Sequence, residues 1–178
     1  MSTQNVFLIG FMGTGKSTIA SYMNHNYDMD VVDMDQVIIN RTGMEISDLF
    51  ISYGEEYFRD LETELLKELK RKKNTVVSCG GGIVLREENV SLMKESGKIV
   101  LLTAEPQTIL ERLKNDTSRP LLNGRKNVDT INTLMKDRCD KYETAADIIL
   151  STDGRRVEEI CETLLKELQR AKEREENV

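Results

Sequence analysis

The stretch Gly10-Phe11-Met12-Gly13-Thr14-Gly15-Lys16-Ser17-Thr18 reads G-x-x-x-x-G-K-S, the pattern of a loop that cradles phosphate. The residue types suit that task. Gly10, Gly13 and Gly15 let the backbone turn sharply and approach a ligand with no Cβ in the way. Successive N–H groups then form an anion nest, and a helix that follows adds the positive end of its dipole. Lys16 supplies a charge for the outer phosphates and Ser17 a hydroxyl for a metal ion. Asn5 to Ile9, a short apolar run ending at a glycine, suits a buried strand, and Lys16 to Asn26 reads as the helix.

Outward from this loop, strands and helices alternate. Asp30-Val31-Val32-Asp33 reads as a second strand, followed by a short helix from Gln36 to Thr42 that Gly43 stops. Ser47 is a candidate cap for another helical stretch through Tyr53, halted at Gly54. Glu55 to Lys73 is the longest helical segment, with Tyr57, Phe58, Leu61, Leu65, Leu66 and Leu69 on one face. Thr75 to Ser78 is a third strand, Arg86 to Ser96 a helix, and Lys98 to Leu102 a fourth strand. Glu105-Pro106 opens a helix to about Lys114, with Pro where the first turn tolerates it. Residues 115 to 127 are polar, hold Pro120 and Gly124, and read as a long mobile loop. Val128 to Thr144 is helical, Asp147 to Leu150 a fifth strand, and Arg156 to about Arg170 a closing amphipathic helix. Residues 171 to 178 are highly charged and are expected to fray. The order implies an α/β fold: one domain over residues 1 to 178, a central parallel sheet of about five strands, and helices on both faces in three αβα layers.

Composition narrows the function classes. The chain has 178 residues, 39% apolar and 31% charged, which is enough for a real core. A net charge of −6 argues against a nucleic-acid partner but not against small anions held by a local Arg and Lys cluster. No apolar run is long enough to span a membrane, and no signal peptide is visible. Cys79, Cys139 and Cys161 have no zinc or redox spacing and are expected as free thiols in a reducing cytoplasm, Cys79 and Cys139 packed as small hydrophobes. His25 is given no role.

In folds of this order the ligand lies beyond the carboxyl ends of the strands, where the chemistry-bearing residues fall. Asp33 and Asp35 follow the second strand, and strand alternation would aim both the same way. A magnesium nucleotide needs a carboxylate, and so does an acceptor hydroxyl; two aspartates can divide those tasks. Nucleotide enzymes with this loop usually end a second apolar strand in Asp, but here Ser78 stands there. Asp33 is therefore the better metal candidate beside Ser17. Gly80-Gly81-Gly82 directly after a strand is entropically costly, which suits a substrate touching bare backbone N–H groups. Arg119, in the loop before Pro120, is placed to close over phosphates. Arg59 and Arg138 lie on helices and composition alone gives them no task.

Assembled, these motifs resemble the shikimate kinase family. The phosphate loop with its Phe-Met insert, Asp33-Met34-Asp35, and Arg41-Thr42-Gly43-Met44-Glu45-Ile46 all match its pattern. So do Gly54-Glu55-Glu56-Tyr57-Phe58-Arg59, Ser78-Cys79-Gly80-Gly81-Gly82, Ser118-Arg119-Pro120-Leu121-Leu122, and Arg138 and Tyr142 followed by Ala146-Asp147. The resemblance runs in order from about Asn5 to the final helix. It implies a P-loop kinase fold, similar to nucleoside monophosphate kinases, with a substrate-binding segment near residues 34 to 60 and a lid near 115 to 127. It also implies Mg²⁺-dependent transfer of the ATP γ-phosphoryl to the 3-hydroxyl of shikimate.

The implied roles follow residue by residue. Gly13, Thr14, Gly15, Lys16, Ser17 and Thr18 would hold the nucleotide phosphates, and Ser17 with Asp33 the Mg²⁺. Asp35 would bind the accepting hydroxyl and act as base. Arg59 and Arg138 would grip the substrate carboxylate, alongside Gly80, Gly81 and Gly82. Lys16 and Arg119 would act on the transferring phosphoryl group, and Arg112 and Arg156 would flank the adenine, Arg155 being an equally good match for the latter. The expected partners are shikimate and ATP, with no nucleic acid or membrane, and a monomer in the cytoplasm. Two alternatives remain: a gluconate or nucleoside monophosphate kinase of the same architecture, or a non-catalytic nucleotide-binding switch.

Overall fold

The computed structural model describes residues 4–114 and 127–176. Its five strands are β1 (Asn5–Ile9), β2 (Asp30–Asp33), β3 (Thr75–Ser78), β4 (Gly97–Thr103) and β5 (Ile148–Ser151). The helices are α1 (Lys16–Tyr27), α2 (Met34–Thr42), α3 (Ile46–Leu69), α4 (Glu87–Ser96), α5 (Pro106–Arg112), α6 (Val128–Ala145) and α7 (Val157–Glu176), with a short 3₁₀ turn at Ile83–Leu85. The strands form one parallel sheet in the order β2-β3-β1-β4-β5.

Both faces of that sheet are covered, which is why its central strands are apolar without interruption. On β1, Val6 and Leu8 face one way and pack with Ile19 and Met23 of α1 and Ile160 and Leu164 of α7. Phe7 and Ile9 face the other way and pack with Met34 of α2, Phe58 and Leu66 of α3, Met93 of α4 and Tyr142 of α6. A smaller cluster of Phe11, Ala104, Ile109, Leu113 and Ile131 ties the phosphate loop to α5 and α6. The result is the expected three-layer αβα arrangement.

The topology fixes where a ligand can sit. β1 connects leftward to β2, whereas its neighbour β3 connects across β1 to β4. Adjacent strands whose connections leave in opposite directions open a crevice at their carboxyl ends. The register places Leu8 beside Ser78, and Cys79 donates its N–H to the Leu8 carbonyl at 3.0 Å. The loop after β1 and the glycine triplet after β3 therefore emerge side by side.

Several boundaries differ from the sequence expectation. β2 ends at Asp33, which caps α2 by accepting the Gln36 N–H; Asp35 lies in that helix's first turn. The two aspartates thus share a helix start, and strand alternation is not what aims them. α3 begins at Ile46 after Glu45, so Ser47 is inside the helix and does not cap it. Gly54, with the non-helical φ 84° and ψ 169°, divides α3 into two helical segments that meet at a kink, as the sequence implied. α3 ends at Leu69, leaving Lys70 to Lys73 in the turn beyond it. α7 continues to Glu176, where an i,i+4 pair of Lys172 with Glu176 accompanies the extra turns. Cys79 is buried as expected, and Cys161 is buried too, but Cys139 is exposed, because it lies on the outer side of α6 with its thiol against Glu143.

Candidate functional site

A cleft of about 550 Å³ lies at the carboxyl ends of β1, β2 and β3. Met12, Gly13 and Gly15 to Thr18 line it, with Asp33 and Asp35 and with Ser78 to Gly81.

The phosphate loop is built by glycine where no other residue fits. Gly10 has φ 138°, and a Cβ there would run into the Leu102 carbonyl oxygen. Gly15 is left-handed, at φ 97°, and caps α1 with no side-chain bond and no acidic residue in the first turn. Ile19 makes the first intrahelical bond, to the Gly15 carbonyl at 2.9 Å. The opening turn of α1, Lys16 to Thr18, is thus an unblocked helix N-terminus, the setting in which backbone amides take anions. Lys16 Nζ donates to the carbonyls of Gly10 and Phe11 at 2.9 and 3.0 Å, so its ammonium lies across the loop. Thr14 Oγ1 donates to the Phe11 carbonyl at 2.8 Å and is buried, which makes it a brace of the loop.

Ser17 and Asp33 meet as expected. Ser17 Oγ donates to Asp33 Oδ2 at 2.9 Å, and Ser78 Oγ lies 3.2 Å from it. A hydroxyl and a carboxylate at a helix N-terminus are hard oxygen donors. They suit Mg²⁺, which takes one or two protein oxygens and completes its shell with water and phosphate.

The glycine triplet is the platform on which the remaining residues converge. A Cβ on Gly80 would lie 2.7 Å from Glu62 Oε1 and 3.2 Å from Asp35 Oδ1. One on Gly81 would lie 3.7 Å from Arg138 Nη1 and 3.7 Å from the Tyr142 hydroxyl. One on Gly82 would collide with the Arg59 guanidinium, with Cζ at 2.5 Å. Each residue of the triplet therefore faces a different functional side chain, and the Gly10 carbonyl of the phosphate loop is 3.9 Å from the same Gly81 position. Arg138 Nη1 donates to the Gly81 carbonyl at 3.1 Å, and Tyr142 Oη donates to the same oxygen. Burial pushes the Tyr142 phenol above its ordinary value, so it remains a donor.

Arg59 is held from all sides. It is buried, with Cζ 5.3 Å from the Phe58 ring centre and 6.0 Å from that of Phe50. Nη1 donates to Glu62 Oε2 at 2.6 Å; Nη2 and Nε donate to Glu55 Oε1 at 2.8 and 3.3 Å. These carboxylates hold the guanidinium above its ordinary range despite burial, so Arg59 stays cationic. Glu62 has no exposed surface, and its Oε1 has no hydrogen-bond partner among the described residues. Burial, opposed by Arg59 and helped by the charge of Asp35, lifts its pKa to about 7. Within this pair it is Glu62, not Arg59, that takes up a proton.

Glu55, Glu62 and Ser78's contact with Ser17 are the site features that sequence reasoning missed. Glu62 carried one signal: it stands three residues after Arg59, on the apolar face between Phe58 and Leu65.

The nucleotide side is partly assembled. Arg112 Nη1 donates to the Gly13 carbonyl and to Thr152 Oγ1, both at 3.0 Å, and bridges the phosphate loop to the turn after β5. Arg156, just before α7, is exposed and pairs with Glu159 of that helix at 3.0 Å, whereas Arg155 turns back onto Glu159 and Thr163. The structure therefore brings Arg112, but neither Arg155 nor Arg156, into contact with the loop. Arg119 and the lid segment before residue 127 lie outside the described residues.

A phosphate loop at the switch point of a parallel αβα sheet, facing a cleft edged by Asp33 and Asp35 with Arg59 and Arg138 at its glycine triplet, defines a P-loop phosphotransferase with a small anionic acceptor. Comparison with known proteins narrows that class. Residues 12–169 match the family model for shikimate kinase. The shikimate kinase of Thermodesulfovibrio yellowstonii is 43% identical over 94% of this chain and 96% of its own. That of Dehalococcoides mccartyi is 39% identical over 90% of each chain. The chain belongs to the shikimate kinase family. Among solved structures, the Acinetobacter baumannii shikimate kinase in complex with shikimate superposes with a TM-score of 0.88 at 29% identity, covering 96% of this chain and 95% of its own. A gluconokinase from Sinorhizobium meliloti superposes at 0.58 with 14% identity over 97% of this chain and 95% of its own, a likeness of fold alone.

Proposed function

We propose that this chain transfers the γ-phosphoryl group of ATP to the 3-hydroxyl of shikimate, giving shikimate 3-phosphate and ADP. The observation that carries this reading is the convergence on Gly80 to Gly82 of Asp35, Arg138 and Arg59, one beside each glycine, against the phosphate loop. Shikimate offers one carboxylate and three hydroxyls. Two guanidiniums match the carboxylate, and a carboxylate matches hydroxyl donors.

The roles follow from the placement. The amides of Gly13 to Thr18 and the ammonium of Lys16 hold the β- and γ-phosphates, Lys16 leaving the Gly10 and Phe11 carbonyls to do so. Ser17 would ligate Mg²⁺ with Asp33 assisting through water, their hydroxyl and carboxylate being 2.9 Å apart. When bound, that ion neutralises charge on the phosphate oxygens. Arg59 and Arg138 fix the substrate carboxylate, and the triplet lets the ring approach bare backbone. Asp35 orients the 3-hydroxyl and accepts its proton as the new O–P bond forms and the bond from the γ-phosphorus to the bridging oxygen breaks. Arg119 reaches the phosphates from the lid. Arg112 and Arg156 flank the adenine, Arg112 from its bridge to Gly13. Three cysteines with no disulfide among the described residues support a cytoplasmic setting, and a monomer is expected.

The test is ADP release from ATP and Mg²⁺ with and without shikimate. Release that depends on shikimate, and is not matched by gluconate or a nucleoside monophosphate, is the expected result. Equal rates with and without shikimate would overturn the assignment and favour a nucleotide switch.

A further inference from the structure

Arg59 has two carboxylate partners of opposite character. Glu62 is wholly buried and takes Nη1 with one oxygen at 2.6 Å. Glu55 is more than half exposed and takes the Nε and Nη2 edge with a single oxygen, at 3.3 and 2.8 Å. That edge is one at which a guanidinium grips a ligand carboxylate with two parallel bonds. Glu55 covers it with one oxygen, and the longer of its two bonds exceeds a good charged hydrogen bond.

The rest of the guanidinium is walled in. Phe50 and Phe58 lie on its rings' side, Gly82 closes another, and buried Glu62 another. Of its two carboxylate partners Glu55 meets solvent and Glu62 does not. It also stands directly after Gly54, whose φ 84° and ψ 169° break the helix, so no regular preceding turn fixes its direction.

We propose that Glu55 is a displaceable stand-in for the substrate carboxylate. It satisfies Arg59 while the cleft is empty and yields the Nε/Nη2 edge when the substrate carboxylate arrives. This rests on the reading of the chain as a shikimate kinase and adds a determinant of substrate affinity to it. An unpaired buried cation is costly, so the empty site needs an internal anion. A fixed anion would exclude the substrate, and an exposed one on a kinked helix can swing away. Only a ligand that also engages Arg138 and Asp35 then gains enough to displace it, and simple carboxylates do not.

Isothermal titration calorimetry of shikimate and of its neutral methyl ester, on the wild type, Glu55→Gln and Glu55→Ala, tests this. Releasing a partly exposed competitor should tighten shikimate binding about three- to tenfold. The ester, which does not claim the edge, should bind all three proteins alike, and ATP affinity should not move. Unchanged or weaker shikimate binding in both variants overturns the proposal, as does equal tightening of acid and ester. Shikimate-dependent ADP release by the wild type, measured beside it, separates the two readings. If the wild type turns shikimate over while the variants bind it no more tightly, only the stand-in fails. If the wild type neither binds nor phosphorylates shikimate, the functional reading fails and the stand-in with it.

Discussion

At Gly82 an added Cβ would lie 2.5 Å from Arg59 Cζ, a guanidinium already braced by Glu62, Glu55 and the Phe50 and Phe58 rings. Gly82→Ala should therefore act on the arginine and not on the loop. A displacement of about an ångström costs on the order of ten- to a hundredfold in productive binding. The expected outcome is a raised KM for shikimate with KM for ATP unchanged, measured by coupled ADP release. Asp35 answers to a different experiment. Asp35→Asn keeps the size and the place in the first turn of α2 but removes the proton acceptor. Turnover should fall by about a hundredfold or more while ATP binding persists. Turnover within about threefold of wild type would mean that transfer rests on positioning and electrostatics alone.

At the scale of the element, α3 contributes most to the proposed acceptor side, because its two segments carry Phe50 before Gly54 and Glu55, Phe58, Arg59 and Glu62 after it. Its kink at Gly54 sets the direction of the half that bears the arginine. The kink's φ 84° and ψ 169° belong to a region that only glycine occupies readily, and no atom lies within 4 Å of a Cβ placed there. Gly54→Ala thus tests backbone strain with no steric clash. It should destabilise the fold by about 1–3 kcal/mol, read by urea denaturation, or else straighten α3 and weaken shikimate binding. A variant as stable and as active as wild type would show that the kink is dispensable. The loop-to-helix start at Lys16 works by the opposite device: a left-handed glycine and an absence of capping side chains leave the amides for the ligand.

At the scale of the whole molecule, the sheet sets the electrostatics by burying a carboxyl under its carboxyl-end rim. Glu62 titrates at about 7 in the fold, against an ordinary value of 4.5, because burial outweighs the attraction of Arg59. An acid whose folded pKa is raised favours the fold most when protonated. Its contribution is complete below about 4.5 and is lost as pH rises through about 7. The melting temperature of wild type minus that of Glu62→Gln should therefore fall between pH 5 and pH 8, since glutamine keeps the shape but carries no titrating proton. A difference that stays flat, or rises with pH, would mean that the ion pair with Arg59 keeps Glu62 ionised throughout.

Much of this was legible in the chain itself. The phosphate loop, the alternation of strands and helices, the aspartate pair and the glycine triplet are local patterns, each fixed by a few neighbouring residues whose backbone demands are strong. They determined the fold class, the nucleotide side and the family. The tertiary structure alone decided the rest. It put Arg59 beside Gly82 and Arg138 beside Gly81, contacts that span 23 and 57 residues. It made Asp35 the second residue of a helix rather than one aimed by strand alternation, and it buried Glu62 with one oxygen unmet among the described residues. A side chain's burial, and the charge facing it, come from segments far away in sequence, so the local pattern that located the phosphate loop carries no trace of them.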